Sequence, residues 1–89
     1  MKTNSTFNVS VFDALPNSAY IREGQLVQSY KRPDYPAPLP FSAPTLWRMV
    51  KNHKFPAPVR LTTAVTAWKV GDVRAWILAR EQESNKDTV

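Results

Sequence analysis

Apolar residues recur along this chain in short blocks separated by proline, so each block has to be read with its own period. The first 19 residues form an arm. It is weakly structured over 1–17, where Asn, Ser and Thr surround Phe7, Val9, Val11 and Phe12, and Leu15-Pro16-Asn17-Ser18 is a turn signal. These apolar residues can pack on the domain or on a partner. A short helix fits 22–30, with Leu26 and Val27 turned inward and Tyr30 near its end. It cannot continue, because Pro33, Pro36, Pro38 and Pro40 follow within eight residues and favour an extended, polyproline-like loop over 31–40.

The next helix is predicted over 43–53. Ser42 is its N-cap, Pro44 lies in the first turn where a missing N–H costs nothing, and Phe55-Pro56 stops it. Leu46, Met49, Val50 and His53 fall at i, i+3, i+4 and i+7 and make an apolar face, with His53 as a packed helix-end residue. Thr45, Arg48, Lys51 and Asn52 fall on the other side, and Trp47 flanks that stripe. Residues 58–62 and 65–69 alternate and are rich in β-branched residues, which predicts a hairpin turning at Thr63-Ala64. Val59, Leu61 and Trp68 are its core side. Arg60, Thr62, Thr63 and Lys69 decorate it. Gly71-Asp72 opens a last helix, about 71–83, with Val73, Trp76, Ile77 and Arg80 on one face, and 84–89 is a frayed tail.

Charge adds a direction to this pattern. The net charge is +5, but it is unevenly spread. Residues 31–69 hold Lys31, Arg32, Arg48, Lys51, Lys54, Arg60 and Lys69 against Asp34 alone, whereas the flanking thirds are close to neutral. One region of the domain is therefore suited to a polyanion. The chain has no Cys and a single His, which excludes disulfides, Cys-ligated zinc and a His cluster. With no Gly-rich phosphate loop and no plausible acid beside His53, no catalytic site, cofactor or small-molecule ligand is expected. No apolar run approaches a membrane span, and the first ten residues lack a signal-peptide core. The expected setting is cytoplasmic, on the nucleoid.

Three segments also resemble a known family. Ser42-Ala43-Pro44-Thr45-Leu46-Trp47-Arg48 resembles the S-x-x-T-[LI]-[YW]-R helix of the AlpA-like regulators of prophages and genomic islands. Phe55-Pro56-Ala57-Pro58-Val59-Arg60-Leu61 resembles their F-P-x-P-[VI]-x-L stretch. Residues 68–77 resemble their W-[KR]-x-x-[DE]-V-x-x-W-[IL] ending. The resemblance covers about residues 20–80. It implies an α+β fold, a MerR-like winged helix-turn-helix of three short helices plus a β-hairpin wing, spanning 20–83. It also implies a regulator of an integrase, excision or island gene that binds double-stranded DNA. An excisionase that bends attachment-site DNA beside an integrase is the alternative within DNA binding, and self-association on neighbouring sites accompanies either. A protein-binding antirepressor, carried by the Pro-rich segment and the arm, is the rival of another class. Two departures stand out: the family joins its first two helices by a short turn, where this chain has 31–40, and the arm lies outside the match.

In that reading the helix from Ser42 is the recognition helix and 58–69 the wing. Thr45 and Arg48 read base edges, and Ala43 or Pro44 meets a thymine methyl. Ser42 holds a phosphate. Lys51, Asn52, Arg60, Thr62, Thr63 and Lys69 lie along sugar and phosphate, with Lys31 and Arg32 as flanking backbone contacts. Trp47 covers a sugar or donates its N–H to a phosphate, or else belongs to the core. About four to six phosphate contacts correspond to a log–log salt slope near −4 to −5.

Overall fold

In the computed structural model the backbone is described for residues 11–87 and side chains for 12–84. The expectations for Phe7 and Val9 lie outside these residues, as does the side chain of Val11. In chain order the elements are α1 (Val11–Ala14), β1 (Tyr20–Arg22), α2 (Glu23–Leu26), α3 (Ala43–Lys51), β2 (Val59–Arg60), β3 (Thr66–Lys69) and α4 (Val70–Asp87). The described residues form a small α+β unit with four helices and one antiparallel sheet of order β1-β3-β2.

β1 was not foreseen. Three residues are too few to show a period. Its partner β3 defines it, with Tyr20 opposite Lys69, Ile21 opposite Trp68 and Arg22 opposite Ala67. The helix expected over 22–30 is a single turn. Val27 is already extended, at φ −120° and ψ 163°. Long-range bonds replace the helical ladder from there: Gln28 N–H donates to Phe41 O, and Leu39 N–H donates to Leu26 O, both at 3.0 Å. Leu26 and Val27 are buried as expected. The Pro-rich segment is likewise not the extended, polyproline-like loop expected over 31–40. Amide bonds from Arg32 to Ser29 O, Tyr35 to Arg32 O and Ala37 to Tyr35 O fold it into successive turns, and it buries Leu39 in the core.

α3 starts where the sequence says. Ser42 has extended backbone at the N-cap, its carbonyl accepts from Leu46 N–H at 3.0 Å, and Pro44 follows in the first turn. It ends two residues before the expected limit, in a Schellman arrangement. His53 N–H donates to Val50 O and Lys54 N–H to Met49 O, with His53 at φ 61° in the left-handed region. His53 is thus exposed at the helix exit and not packed on the apolar face.

The hairpin turns without Gly or Asn because Thr62 supplies what the backbone lacks. Its Oγ1 accepts from the amides of Ala64 at 3.1 Å and Val65 at 3.0 Å. Val59 and Leu61 are corrections: both face outward, 43% and 46% exposed. Alternation puts Val59 on the face of its partner Ala67, away from Trp68 and Ile21, and on the edge strand β2 that face is uncovered although Ala67 on the central strand is buried.

α4 begins one residue early and runs on to Asp87, past the expected frayed boundary. Its first amides are satisfied from the segment between α1 and β1: Val70 N–H donates to Ala19 O, and Gly71 N–H to Asn17 O. Glycine is needed at 71 by that close approach, since a Cβ there would stand 3.1 Å from Asn17 Cβ and 3.2 Å from its carbonyl oxygen. The core joins Phe12, Ile21, Leu26, Leu39, Leu46, Phe55, Trp68, Val70 and Val73. Phe12 ties the end of the arm to the domain, and Arg74 fastens it further, reaching Phe12 O at 2.9 Å and Asn17 Oδ1 at 2.7 Å.

His53→Gly is expected to stabilise the fold by about 0.5–1 kcal/mol by relieving left-handed strain, read as a higher urea midpoint. A lowered midpoint would contradict the helix-exit account. Thr62→Val should cost about 1 kcal/mol in the same measurement, since the Ala64 amide loses its acceptor and the Val65 amide keeps only its bond to Thr62 O.

Candidate nucleic-acid interface

The polar side of α3 is built by helical spacing alone. Thr45, Arg48, Lys51 and Asn52 recur at three- and four-residue intervals, opposite the buried Leu46 and the half-buried Met49 and Val50. Arg48, Lys51 and Asn52 are exposed and Thr45 is half-buried. Among the described residues none of these four side chains makes an ion pair or a hydrogen bond. Ser42 and Pro44 are exposed at the head of the same helix, with Ala43 half-buried between them, and Ser42 Oγ makes no capping bond.

Trp47 occupies a middle position. Its ring packs on Trp68, centroids 5.2 Å apart at 51°, and it remains 39% exposed. Its indole N–H is committed to Glu23 Oε1 at 2.7 Å. Of its two expected roles, covering a sugar remains open, while donation to a phosphate would require Glu23 to be displaced. Glu23 was not singled out in the sequence. It places a carboxylate at the edge of the cationic face, and only the 24-residue contact from α2 to α3 shows it.

The hairpin contributes unevenly. Its tip residue Ala64 and Thr66 line one hollow with Trp47, Glu23 and Gly24, so the turn stands beside α3. Arg60, opposite Thr66, lies on the Trp68 side of the sheet and is exposed. Thr62 and Thr63 are exposed in the turn, with the Thr62 hydroxyl already accepting two amides. Lys69 is separated from this group: it pairs with Tyr20, on the face of the sheet turned away from Trp68.

The two cations of the Pro-rich segment also part company. Arg32 folds back, donating to Gly24 O and standing 4.4 Å over the Tyr35 ring. Tyr35 in turn donates its hydroxyl to Gln25 O at 2.7 Å. Burial pushes the Tyr35 phenol above its ordinary value, against the lowering pull of Arg32, so it stays a protonated donor at neutral pH. Lys31 is exposed, and its ammonium has no partner among the described residues.

Among the described residues no three His, Cys, Asp or Glu side chains gather as a metal site, and no helix is long and apolar enough to cross a membrane. No family model, curated protein or solved structure matches this chain.

Arg32→Ala should lower the thermal midpoint, with a cost of about 1 kcal/mol for the lost carbonyl bond and ring contact, whereas Lys31→Ala should leave it unchanged. Equal effects would undo the division between them. Because the folded Tyr35 pKa is raised, its contribution is fully present below the ordinary tyrosine value. It is lost as pH rises through the raised folded value. Tyr35→Phe should remove that alkaline decline from a stability–pH curve.

Proposed function

We propose that this chain is a sequence-specific double-stranded DNA-binding protein, a small winged helix in which α3 is the recognition helix and the β2–β3 hairpin the wing. The observation that carries it is the outer face of α3. Arg48, Lys51 and Asn52 are exposed and Thr45 is half-buried beside them, all four without side-chain partners among the described residues, on a helix otherwise fixed by its buried side. An unpaired cationic and amide stripe on a rigid helix, beside a protruding hairpin, matches the width and donor–acceptor pattern of a major groove.

In this reading Arg48 and Thr45 address base edges, and Pro44 and Ala43 supply apolar contact. Ser42, Lys51 and Asn52 meet the sugar-phosphate chain, with Arg60 and Thr63 from the wing. Trp47 covers a sugar with its exposed edge while Glu23 keeps its N–H. Lys69 and Arg32 drop out, the first for its face of the sheet and the second because it is engaged within the fold. The cations left to neutralise phosphates are Lys51, Arg60 and Lys31 on the flank, which puts the salt slope at about −2 to −3. The resemblance of three segments to AlpA-like regulators supports a role at promoters or attachment sites of mobile elements, with DNA as the partner and no catalytic step. A domain of this size covers a short site, so copies on neighbouring sites are part of the proposal.

Arg48→Ala should cost about 1–3 kcal/mol on a duplex selected by the wild-type protein from a randomised pool. It should also relax discrimination, with an unchanged melting profile. Unaltered affinity would remove the recognition-helix assignment, and a wild-type salt slope near zero would remove the phosphate contacts.

A further inference from the structure

Residues 29–32 form a turn pinned from several sides. Arg32 N–H closes it on Ser29 O at 3.0 Å, and Lys31 N–H donates to Ser29 Oγ at 3.1 Å. On one side Gln28 N–H is bonded to Phe41 O. On the other, the Arg32 guanidinium is held by Gly24 O and the Tyr35 ring. The two residues at the tip, Tyr30 and Lys31, project outward. Tyr30 is 89% exposed, the most exposed large apolar side chain described, and neither its hydroxyl nor the Lys31 ammonium has a partner among the described residues. Both side chains are thus free to meet a partner outside the fold. The location is also specific. Tyr30 lines a hollow with Ser42, Ala43 and Pro44, the leading residues of α3, whereas the hairpin tip lines a second hollow that shares only Glu23 and Gly24 with it.

We infer that the Tyr30–Lys31 turn is a second backbone clamp for duplex DNA, gripping the phosphates beside the bases that α3 reads, on the flank away from the hairpin. The inference rests on the DNA-binding reading. The phenol hydroxyl donates to a phosphate oxygen, and the Lys31 ammonium neutralises the same or the next phosphate. A tyrosine loses little rotamer freedom when it docks, so a pinned turn presents it already organised. The Pro-rich segment thereby acquires a purpose: it carries the turn out to the head of α3 and fixes it there through Arg32, Tyr35 and Leu39.

The test is a binding titration over a range of salt with a duplex selected by the wild-type protein, accompanied by phosphate-ethylation interference. Tyr30→Ala and Tyr30→Phe should each weaken binding by about tenfold, as for loss of a hydrogen bond to a charged acceptor. Lys31→Ala should reduce the magnitude of the log–log salt slope by about 0.9. Ethylation of one or two phosphates on the α3 flank should inhibit the wild type and cease to matter for the double variant. The melting profiles should stay unchanged, because both side chains are exposed and unpaired. Wild-type affinity in the Tyr30 variants together with an unaltered slope for Lys31→Ala would overturn the clamp while leaving the α3 reading intact. Wild-type protein that binds no duplex would overturn both.

Discussion

The fold depends on a file of aromatic rings centred on Trp68. Trp47 of α3 stacks against it from one side, and Phe55 meets it edge-on at 6.3 Å. Phe55 in turn meets Trp76 of α4 at 4.9 Å. Trp68 and Trp76 donate their N–H groups to Pro56 O and Lys54 O, both at 2.8 Å, so two buried or half-buried donors are satisfied by the short segment that leaves α3. The same rings that fill the core therefore fix the direction in which the chain exits α3. Rigid attachment at that end holds the polar face of α3 in a set orientation to the hairpin, whose strand β3 carries Trp68 itself. A surface that recognises a fixed shape needs such preorganisation more than it needs additional contacts.

That constraint also separates what was legible in the sequence from what was not. α3 could be read because cap, period and stop agree locally at Ser42, Leu46-Met49-Val50 and Phe55-Pro56. The hairpin could be read because β-branched alternation flanks a short polar turn. β1 and the shortened α2 could not, because neither is set by local preference. Tyr20–Arg22 is a strand only through β3, and the helical pattern of 22–30 loses to bonds from Phe41 and Leu39, residues more than ten positions away. The outward turn of Val59 and Leu61 has the same cause. Alternation gives the two faces of a hairpin, but which face is covered depends on where α3 and β1 lie.

The candidate site was legible to the same degree. Arg48, Lys51 and Asn52 follow from helical spacing, and their exposure agrees. Counting charges in 31–69 cannot say which cations are free. Arg32 spends its guanidinium on Gly24 O and the Tyr35 ring, and Lys69 is carried to the far face by one step of strand alternation. Arg74 offers a parallel case outside the basic region, tied to Phe12, Asp13 and Asn17 and so absorbed in holding α1. Net charge draws a polyanion toward a surface. Which contacts form is decided by the cations that the fold leaves without partners.

Glu23 refines this picture. A carboxylate at the margin of a cationic face repels a phosphate chain, and it does so only over short range at physiological salt. Here it also holds the Trp47 N–H, which keeps the indole against Trp68 and stops it turning outward. Glu23 lines both the hairpin-side hollow and the hollow at the head of α3, so in the proposed DNA-binding reading a duplex would pass to one side of it. A repulsive group at a fixed point excludes registers in which the backbone would cross it, so it narrows the set of docked orientations without adding affinity. In the proposed reading the unpaired cations and the Glu23 carboxylate together would specify a track along the surface, where a uniformly basic patch would specify only attraction.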